Sequence, residues 1–167
     1  MIDVIQVTDD ERDELVSLLS TLDFSKDYNY FRRCLSDGDE VRVVFMARQD
    51  GTACGLCVLN FVPSYPMFKR LDVPEIQDLN VLSVYRRSGI GSALIAACER
   101  LACERGAMMT GIGVGLSSAY GNAQRLYVRL GYVPDGAGVY YDAQPVTHGE
   151  MRPVDDNLCL MMVKELG

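Results

Sequence analysis

The chain has 167 residues, of which 49% are hydrophobic and 23% are charged, and this composition is that of an ordinary globular protein rather than a disordered or collagen-like one. A chain of this length buries enough surface to fold without disulfides or metals, so we expect residues 1–167 to form a single domain. The net charge of −7 argues against nucleic-acid partners, because affinity for phosphate backbones comes largely from clustered Lys and Arg.

The first half of the chain mixes strand and helix patterns. Thr8 and Glu11 form a capping box ahead of several leucines, which is typical of a helix N-terminus. Asp50 and Gly51 separate two apolar runs, as in a hairpin turn. In chain order, the predicted elements are a strand at 2–7, helices at 8–22 and 25–36, strands at 41–47 and 53–62, a loop at 63–73 and a strand at 75–84.

The second half opens with a helical period. Ile90, Leu94, Ile95 and Cys98 form one apolar stripe of a helix that ends near Gly106. The further elements predicted in order are a strand at 107–115, a helix at 118–130, a strand edge from Tyr132, a Gly- and Pro-rich loop at 135–153 around a short strand at 139–142, and a strand at 158–164. This order favours one α/β or α+β domain with a mixed sheet.

The sequence predicts neither a secretory signal nor a membrane span. The N-terminal residues lack a basic segment followed by an apolar one. The two longest uncharged runs, 51–68 and 106–124, contain Pro, Gly, Ser and Asn and are not predominantly apolar. We therefore expect a cytoplasmic protein that does not act at a membrane.

Six cysteines are present, and Cys54 and Cys57 have the spacing of a metal-binding pair. Both fall within a predicted strand, where positions three apart point to opposite faces, so we expect these thiols to lie on different sides of the sheet. No second pair of this kind completes a zinc set. The sequence predicts no metal site and predicts that the cysteines are core residues.

The segment from Leu79 to Ala102 carries the strongest functional signal. A strand gives way to a helix that opens on Gly89-Ile90-Gly91, where glycine lets the backbone approach a ligand closely. The helix N-terminus offers free N–H groups to an anion, and Arg86 and Arg87 add positive charge. A pyrophosphate would suit this arrangement, although glycines that serve packing alone are the alternative.

Two well-known glycine motifs are excluded. The dinucleotide fingerprint needs Gly or Ala at its third position, where this chain has Leu94, and a P-loop needs a Gly-Lys pair, which the chain lacks.

The same segment, VLSVYRRSGIGSAL, resembles motif A of the GNAT superfamily of acyl-CoA-dependent N-acetyltransferases. Its matching residues are Val81, Tyr85, Arg86, Gly89 and Gly91, whereas Ser83 stands where a Pro is usual. A second segment, AQRLYVRLGY at 123–132, resembles another motif of that superfamily at its usual separation. The resemblance covers nearly the whole chain and implies a mostly antiparallel mixed sheet flanked by helices.

The resemblance also implies that acetyl-CoA is a co-substrate and that no metal is needed. Backbone groups of Leu79, Asn80 and Val81 are expected to pair with the pantetheine arm, and Tyr127 stands at the position of the general acid that protonates the departing thiolate. The residues expected at the pyrophosphate are Arg86, Arg87, Ser88, Gly89, Ile90, Gly91 and Ser92. For Tyr127, simple packing beneath the sheet is the alternative.

Two further positions depart from the superfamily pattern. Tyr120 stands where an Asn is frequent, and Asn122 lies two residues away. Gly115 stands where some protein N-terminal acetyltransferases carry a Glu, so that base is absent.

Two carboxylates on the predicted strand are candidates for the general base that accepts a proton from the amine. Glu75 resembles the catalytic Glu of histone-type members, and Asp78 follows three residues later. Because positions three apart on a strand face opposite sides, we expect at most one of them in the cleft. A water chain is the third alternative.

The resemblance implies transfer of an acetyl group to a primary amine, by direct attack in a ternary complex. We expect the amine to belong to a small molecule, drawn by aromatic and acidic side chains of the loops near residues 23–31 and 63–73, among them Tyr30, Tyr65 and Asp23. The alternatives are a protein or peptide N-acetyltransferase and a non-catalytic acyl-CoA sensor. Homodimers are common among related proteins, so pairing of two copies stays open.

Overall fold

One sheet runs through the part of the chain that the computed structural model describes, residues 1–22 and 26–167. Asp23 lies outside the described residues. The strands are β1 (Ile2–Gln6), β2 (Arg42–Gln49), β3 (Thr52–Asn60), β4 (Glu75–Val81), β5 (Met109–Gly115), β6 (Val133–Tyr141), β7 (Gln144–Pro145) and β8 (Leu158–Glu165). The helices are α1 (Arg12–Thr21), α2 (Tyr28–Ser36), α3 (Pro66–Arg70), α4 (Ile90–Glu104) and α5 (Gly121–Arg129).

The strands lie in the order β1-β2-β3-β4-β5-β8-β6-β7. Neighbouring strands are antiparallel except β4 and β5, which are parallel. A parallel pair needs a crossover connection, and α4 supplies it here. The predicted fold class, a mixed and mostly antiparallel sheet flanked by helices, is confirmed.

Helices cover both faces of the sheet. On one face, α4 buries Leu94, Ile95 and Cys98 in a core cluster that also contains Tyr127 of α5. On the other face, α1 and α2 bury apolar residues against β2 and β3, including Leu15. Each helix thus buries one apolar stripe, as its 3.6-residue periodicity predicts.

The structure corrects two of the predicted loops. Residues 66–70 form α3, with Pro66 in its first turn and Phe68 fully buried. Residues 133–141 form a single strand, β6, whose pairing with β8 is interrupted between Pro134 and Val139. Gly136 and Gly138 adopt positive φ within that interruption, which is why the sequence pattern indicated a loop there.

The prediction that Cys54 and Cys57 lie on opposite faces is wrong. The β2–β3 register shifts by one residue at Cys54, which makes it the extra residue of a β-bulge. The bulge breaks the alternation of β3, so that both thiols enter the same core cluster. Among the described residues, no three side chains of His, Cys, Asp or Glu are grouped so that they could hold a metal ion. Within the described residues, no helix is long and apolar enough to cross a membrane.

Gly111 of β5 lies against the buried ring of Phe68, and a Cβ at this position would lie 2.2 Å from that ring. We predict that Gly111→Ala lowers the free energy of unfolding by about 1–3 kcal/mol, as overpacking of a rigid core does. Urea denaturation followed by circular dichroism measures this.

The matched control is Gly121→Ala at the start of α5, where a Cβ meets nothing within 4 Å and where φ suits alanine. This control should be neutral or slightly stabilising. Equal stability of the two variants would contradict the predicted packing of Phe68 on β5.

Candidate active site

The parallel strands β4 and β5 diverge after two paired positions. The two strands pair only at Glu75 with Gly111 and at Ile76 with Ile112. On their other edges, β5 pairs with β8 over its whole length and β4 pairs with β3. The edge of β4 that faces β5 is therefore left without a strand partner in the described part of the chain. Such an edge offers backbone N–H and C=O groups to an extended ligand.

A cavity of about 740 Å³ follows this open edge. Its wall combines the end of β4, the turn after it, the N-terminus of α4 and one side of α5. The lining residues are Leu79, Asn80, Val81, Tyr85, Arg86, Arg87, Gly89, Gly91, Ser92, Ala119, Tyr120, Asn122, Ala123, Arg125, Leu126, Tyr127 and Arg129. The structure thus brings together most residues that the sequence predicts for cofactor binding, together with Tyr127.

The cavity is positively charged although the chain is acidic. Its lining includes Arg86, Arg87, Arg125 and Arg129, and none of the described residues on it has a carboxylate side chain. The field of these four guanidinium groups favours a ligand with several phosphates. Arg125 and Arg129 are four residues apart on α5 and therefore lie on one side of it. The sequence prediction missed this pair, although its helical spacing is visible in the sequence.

The N-terminus of α4 opens onto the cavity. Gly89 caps the helix with φ of +94°, a conformation that suits glycine, and it lies on the lining together with Gly91 and Ser92. The first N–H groups of a helix have no acceptor within the helix, so they are available to an anion.

Two predicted binding residues do not line the cavity with their side chains. The hydroxyl of Ser88 donates to the carbonyl of Tyr85 at 2.5 Å, and the side chain of Ile90 lies buried in the core. Any contact of these two residues with a ligand has to come from their backbone N–H groups, and that contact stays a prediction.

Tyr127 is 5% exposed and lies where the core meets the cavity. Its ring packs near Tyr132, with 6.3 Å between ring centroids. Burial raises the pKa of the Tyr127 phenol, so that it keeps its proton at neutral pH. Tyr127 can therefore pack in the core and also act as an acid. The burial that fixes its ring also keeps its hydroxyl protonated at the cavity wall.

The departures from the family pattern at Tyr120 and Gly115 are physically linked. A Cβ on Gly115 would lie 2.3 Å from the ring of Tyr120. The Tyr120 ring thus occupies the space that a side chain at position 115 would need, while its hydroxyl donates to Asp156 at 2.9 Å. Asn122 also lines the cavity, although sequence reasoning left its contact in doubt.

The expectation that Glu75 and Asp78 face opposite sides of the sheet is wrong. The β3–β4 register shifts between Leu56 and Val58, and the extra residue lies on β4. Asp78 takes φ of +55° there, and this bulge turns its carboxylate to the face covered by α2. Glu75 lies on that same face, because it accepts a hydrogen bond from Gln77 two residues further on, and Gln77 pairs with Val58 of the core cluster that α1 and α2 cover.

Glu75 has the properties of a base that works near neutral pH. Burial raises the pKa of its carboxyl to about 7, and a hydrogen bond from Gln77 at 2.9 Å opposes part of that rise. The nearby Asp78 charge raises the same pKa further, whereas the Lys26 ammonium lowers it. A carboxylate of this kind exchanges protons at physiological pH.

Asp78 is held by two partners. The hydroxyl of Tyr30 donates to one carboxylate oxygen at 2.6 Å, and the ammonium of Lys26 donates to the other at 2.5 Å. The side chain of Asp78 is 9% exposed. Glu75 and Asp78 are not on the cavity lining, but Asp78 directly precedes Leu79, which is.

The aromatic residues of the two segments expected near the acceptor have different surroundings. Phe31 and Phe68 are fully buried, and their rings belong to the core. Tyr65 packs edge-on against both Phe68 and Tyr140 and donates a hydrogen bond to Asp135 at 2.5 Å. Of the aromatic residues named, Tyr30 is the one in contact with Asp78.

Comparison with known proteins agrees with this geometry. The family model described as Acetyltransferase (GNAT) family matches residues 5–132. A search of curated proteins found no match.

Solved structures share the fold at low sequence identity. The ribosomal-protein-S18-alanine N-acetyltransferase of Escherichia coli aligns with a TM-score of 0.70 and 20% identity, over 99% of this chain and 94% of that chain. Arabidopsis thaliana Naa50, solved with the bisubstrate analogue CoA-Ac-MVNAL, gives 0.65 and 18%, over 98% of each chain. The acetyltransferase yncA of Salmonella typhimurium, solved with acetyl-CoA, gives 0.70 and 14%, over 100% and 95%.

The raised pKa of Glu75 predicts how stability depends on pH. Because the folded state holds this proton more tightly than the unfolded state, the wild type loses stability as the pH rises from about 4.5 through about 7. Glu75→Gln removes that loss, so the variant should be more stable than the wild type by roughly 2–3 kcal/mol at pH 8 and equal to it at pH 4.

Urea unfolding of both proteins at pH 4, 6 and 8 measures this difference. Glu104→Gln, at an exposed position of α4, is the matched control and should differ little from the wild type at each pH. A stability difference between Glu75→Gln and the wild type that stays constant with pH would contradict the buried, neutral carboxyl.

Proposed function

The chain belongs to the acetyltransferase (GNAT) family, and on that premise we propose that it transfers an acetyl group from acetyl-CoA to the primary amine of a small molecule. The observation that carries the proposal is the cavity along the open edge of β4, with four arginines and the N-terminus of α4 in its wall. These features suit a long cofactor with a pyrophosphate at one end and an extended amide-containing arm at the other.

The cofactor would be held mainly by backbone groups. Leu79, Asn80 and Val81 offer the open strand edge to the pantetheine amides, and Gly89, Gly91 and Ser92 offer N–H groups to the pyrophosphate. Guanidinium groups of the arginines add charge-assisted hydrogen bonds to the phosphates. Bound in this way, acetyl-CoA supplies an activated thioester.

The reaction assigned to these residues needs a proton acceptor and a proton donor on opposite sides of the thioester. Glu75 takes a proton from the ammonium of the acceptor, directly or through water, which leaves a neutral amine. The amine nitrogen then bonds to the carbonyl carbon, the carbon–sulfur bond breaks, and Tyr127 protonates the departing thiolate. The nitrogen loses its second proton to water as the amide forms, and Tyr127 regains a proton from solvent. No covalent enzyme intermediate forms in this sequence.

The acceptor side suits a cationic amine. Glu75 and Asp78 supply negative charge, and the Tyr30 ring supplies an aromatic face. Incubation with acetyl-CoA and a panel of small amines, with release of free CoA as the readout, tests the proposed acceptor class. N-terminal and lysine peptides belong in the same panel, because turnover of peptides alone would replace the small-molecule acceptor with a protein one.

Calorimetric titration with acetyl-CoA tests cofactor binding by itself. Binding without turnover on any amine or peptide would favour a non-catalytic sensor. Absence of binding would overturn the proposed function.

We predict that Tyr127→Phe lowers kcat by about 10²-fold or more, because general-acid catalysis contributes at least this much. Its dissociation constant for acetyl-CoA should change little, since the ring remains. Steady-state kinetics and calorimetry on the same preparation measure the two quantities.

The matched control is Tyr120→Phe, which alters another cavity-lining tyrosine whose hydroxyl is directed to Asp156. It should keep kcat within about threefold of the wild type, because its hydroxyl is used for an exposed hydrogen bond of small value. An unchanged kcat in Tyr127→Phe would assign Tyr127 to packing alone.

A further inference from the structure

A single lysine ammonium lies on the acceptor side of the site. The Lys26 nitrogen is 4.3 Å from the centroid of the Tyr30 ring and 2.5 Å from a carboxylate oxygen of Asp78. The Tyr30 hydroxyl donates to the other oxygen of the same carboxylate at 2.6 Å, so ring and carboxylate are fixed relative to one another. An aromatic face and a carboxylate around one nitrogen are the two elements that bind ammonium groups.

The position of this pair is independent of the lysine that fills it. Asp78 is set by the β4 bulge, and Tyr30 is set by α2, whose first turn is capped by the Asp27 side chain. Lys26 lies just before that cap, outside any helix or strand, and its side chain is 37% exposed. A half-exposed side chain from a loop is thus held by one residue of a helix and one of a strand.

We propose that Tyr30 and Asp78 form the ammonium-binding pocket of the acceptor, which Lys26 occupies in the free protein and which the acceptor's own ammonium takes over by displacing it. The inference rests on the proposed function and deepens it, since it assigns an alkylammonium as the group recognised. Replacement of one ammonium by another keeps the buried carboxylate of Asp78 paired throughout, which avoids the cost of an unpaired charge.

Occupation by Lys26 has a measurable consequence. A ligand that binds only when the pocket is vacant shows an affinity reduced by the vacant fraction. The contacts of Lys26 are an exchangeable ion pair and a cation–π contact, which together correspond to a reduction of about fivefold. Removal of the lysine side chain should therefore tighten binding of an alkylammonium.

The first experiment uses Lys26→Ala and n-propylammonium chloride, whose three carbons and ammonium replace the atoms that the substitution removes. Thermal denaturation is followed at increasing concentrations, against sodium chloride at equal ionic strength. We expect stabilisation of Lys26→Ala with an affinity about fivefold or more above that of the wild type. Lys69→Ala, at an exposed position of α3, is the matched control and should behave as the wild type does.

Two further samples define the pocket. Lys26→Ala combined with Asp78→Asn should lose the response to n-propylammonium, because the neutral amide no longer pairs with an ammonium. Sodium propionate should affect the wild type and Lys26→Ala equally, because binding of this anion to the arginine-lined cavity does not involve Lys26. Equal responses of the wild type and Lys26→Ala to n-propylammonium, or a gain of Lys26→Ala over the wild type that is as large with propionate as with n-propylammonium, would overturn the proposal.

The second experiment uses an amine that the acceptor panel identifies. Lys26→Ala should lower the KM for that amine by about fivefold and leave the KM for acetyl-CoA unchanged. A raised KM for the amine would overturn the proposal, since Lys26 would then hold the acceptor itself. Acetylation of the Lys26 nitrogen, detected by mass spectrometry after incubation with acetyl-CoA alone, would also overturn it in favour of self-modification. The binding experiment needs no turnover, so it decides the proposal even where no acceptor is found.

Discussion

The separation of β4 from β5 is the constraint on which the rest of the site depends. A parallel pair in the middle of a sheet normally continues, because each unpaired backbone group costs free energy. Here the pairing stops after Ile76 and Ile112, while β8 pairs with the other edge of β5 along its whole length. The sheet therefore keeps an open edge near its centre, and the cavity on the side of α4 and α5 runs along that edge.

Charge is distributed unevenly over this opening. On the side of α4 and α5, the arginines lie next to a helix N-terminus, and the cavity lining has no acidic side chain within the part of the chain that the structure describes. On the side of α2, Glu75 and Asp78 supply negative charge, partly neutralised by Lys26. A net charge of −7 thus conceals two local fields of opposite sign, which separate the places suited to an anionic cofactor and to a cationic amine.

Small irregularities of the backbone decide where the reactive groups point. The bulge at Asp78 brings two carboxylates to one face, and the bulge at Cys54 brings two thiols into one core cluster. A bulge changes the phase of a strand by one residue, so every prediction that counts along the strand past it is inverted. Side-chain packing has a similar effect, since the ring of Tyr120 fills the space that a side chain at position 115 would need.

The sequence alone determined most of the strands and helices, the glycine-rich start of α4 and the family, because these depend on local periodicity and on short motifs. It also pointed to Tyr127 and to the strand that carries Glu75. Tertiary structure alone decided that Glu75 and Asp78 share a face, that Arg125 and Arg129 join the cavity, and that Lys26 lies against Tyr30. These outcomes depend on strand register and on contacts between segments as far apart as α2 and β4, and no local pattern encodes either one.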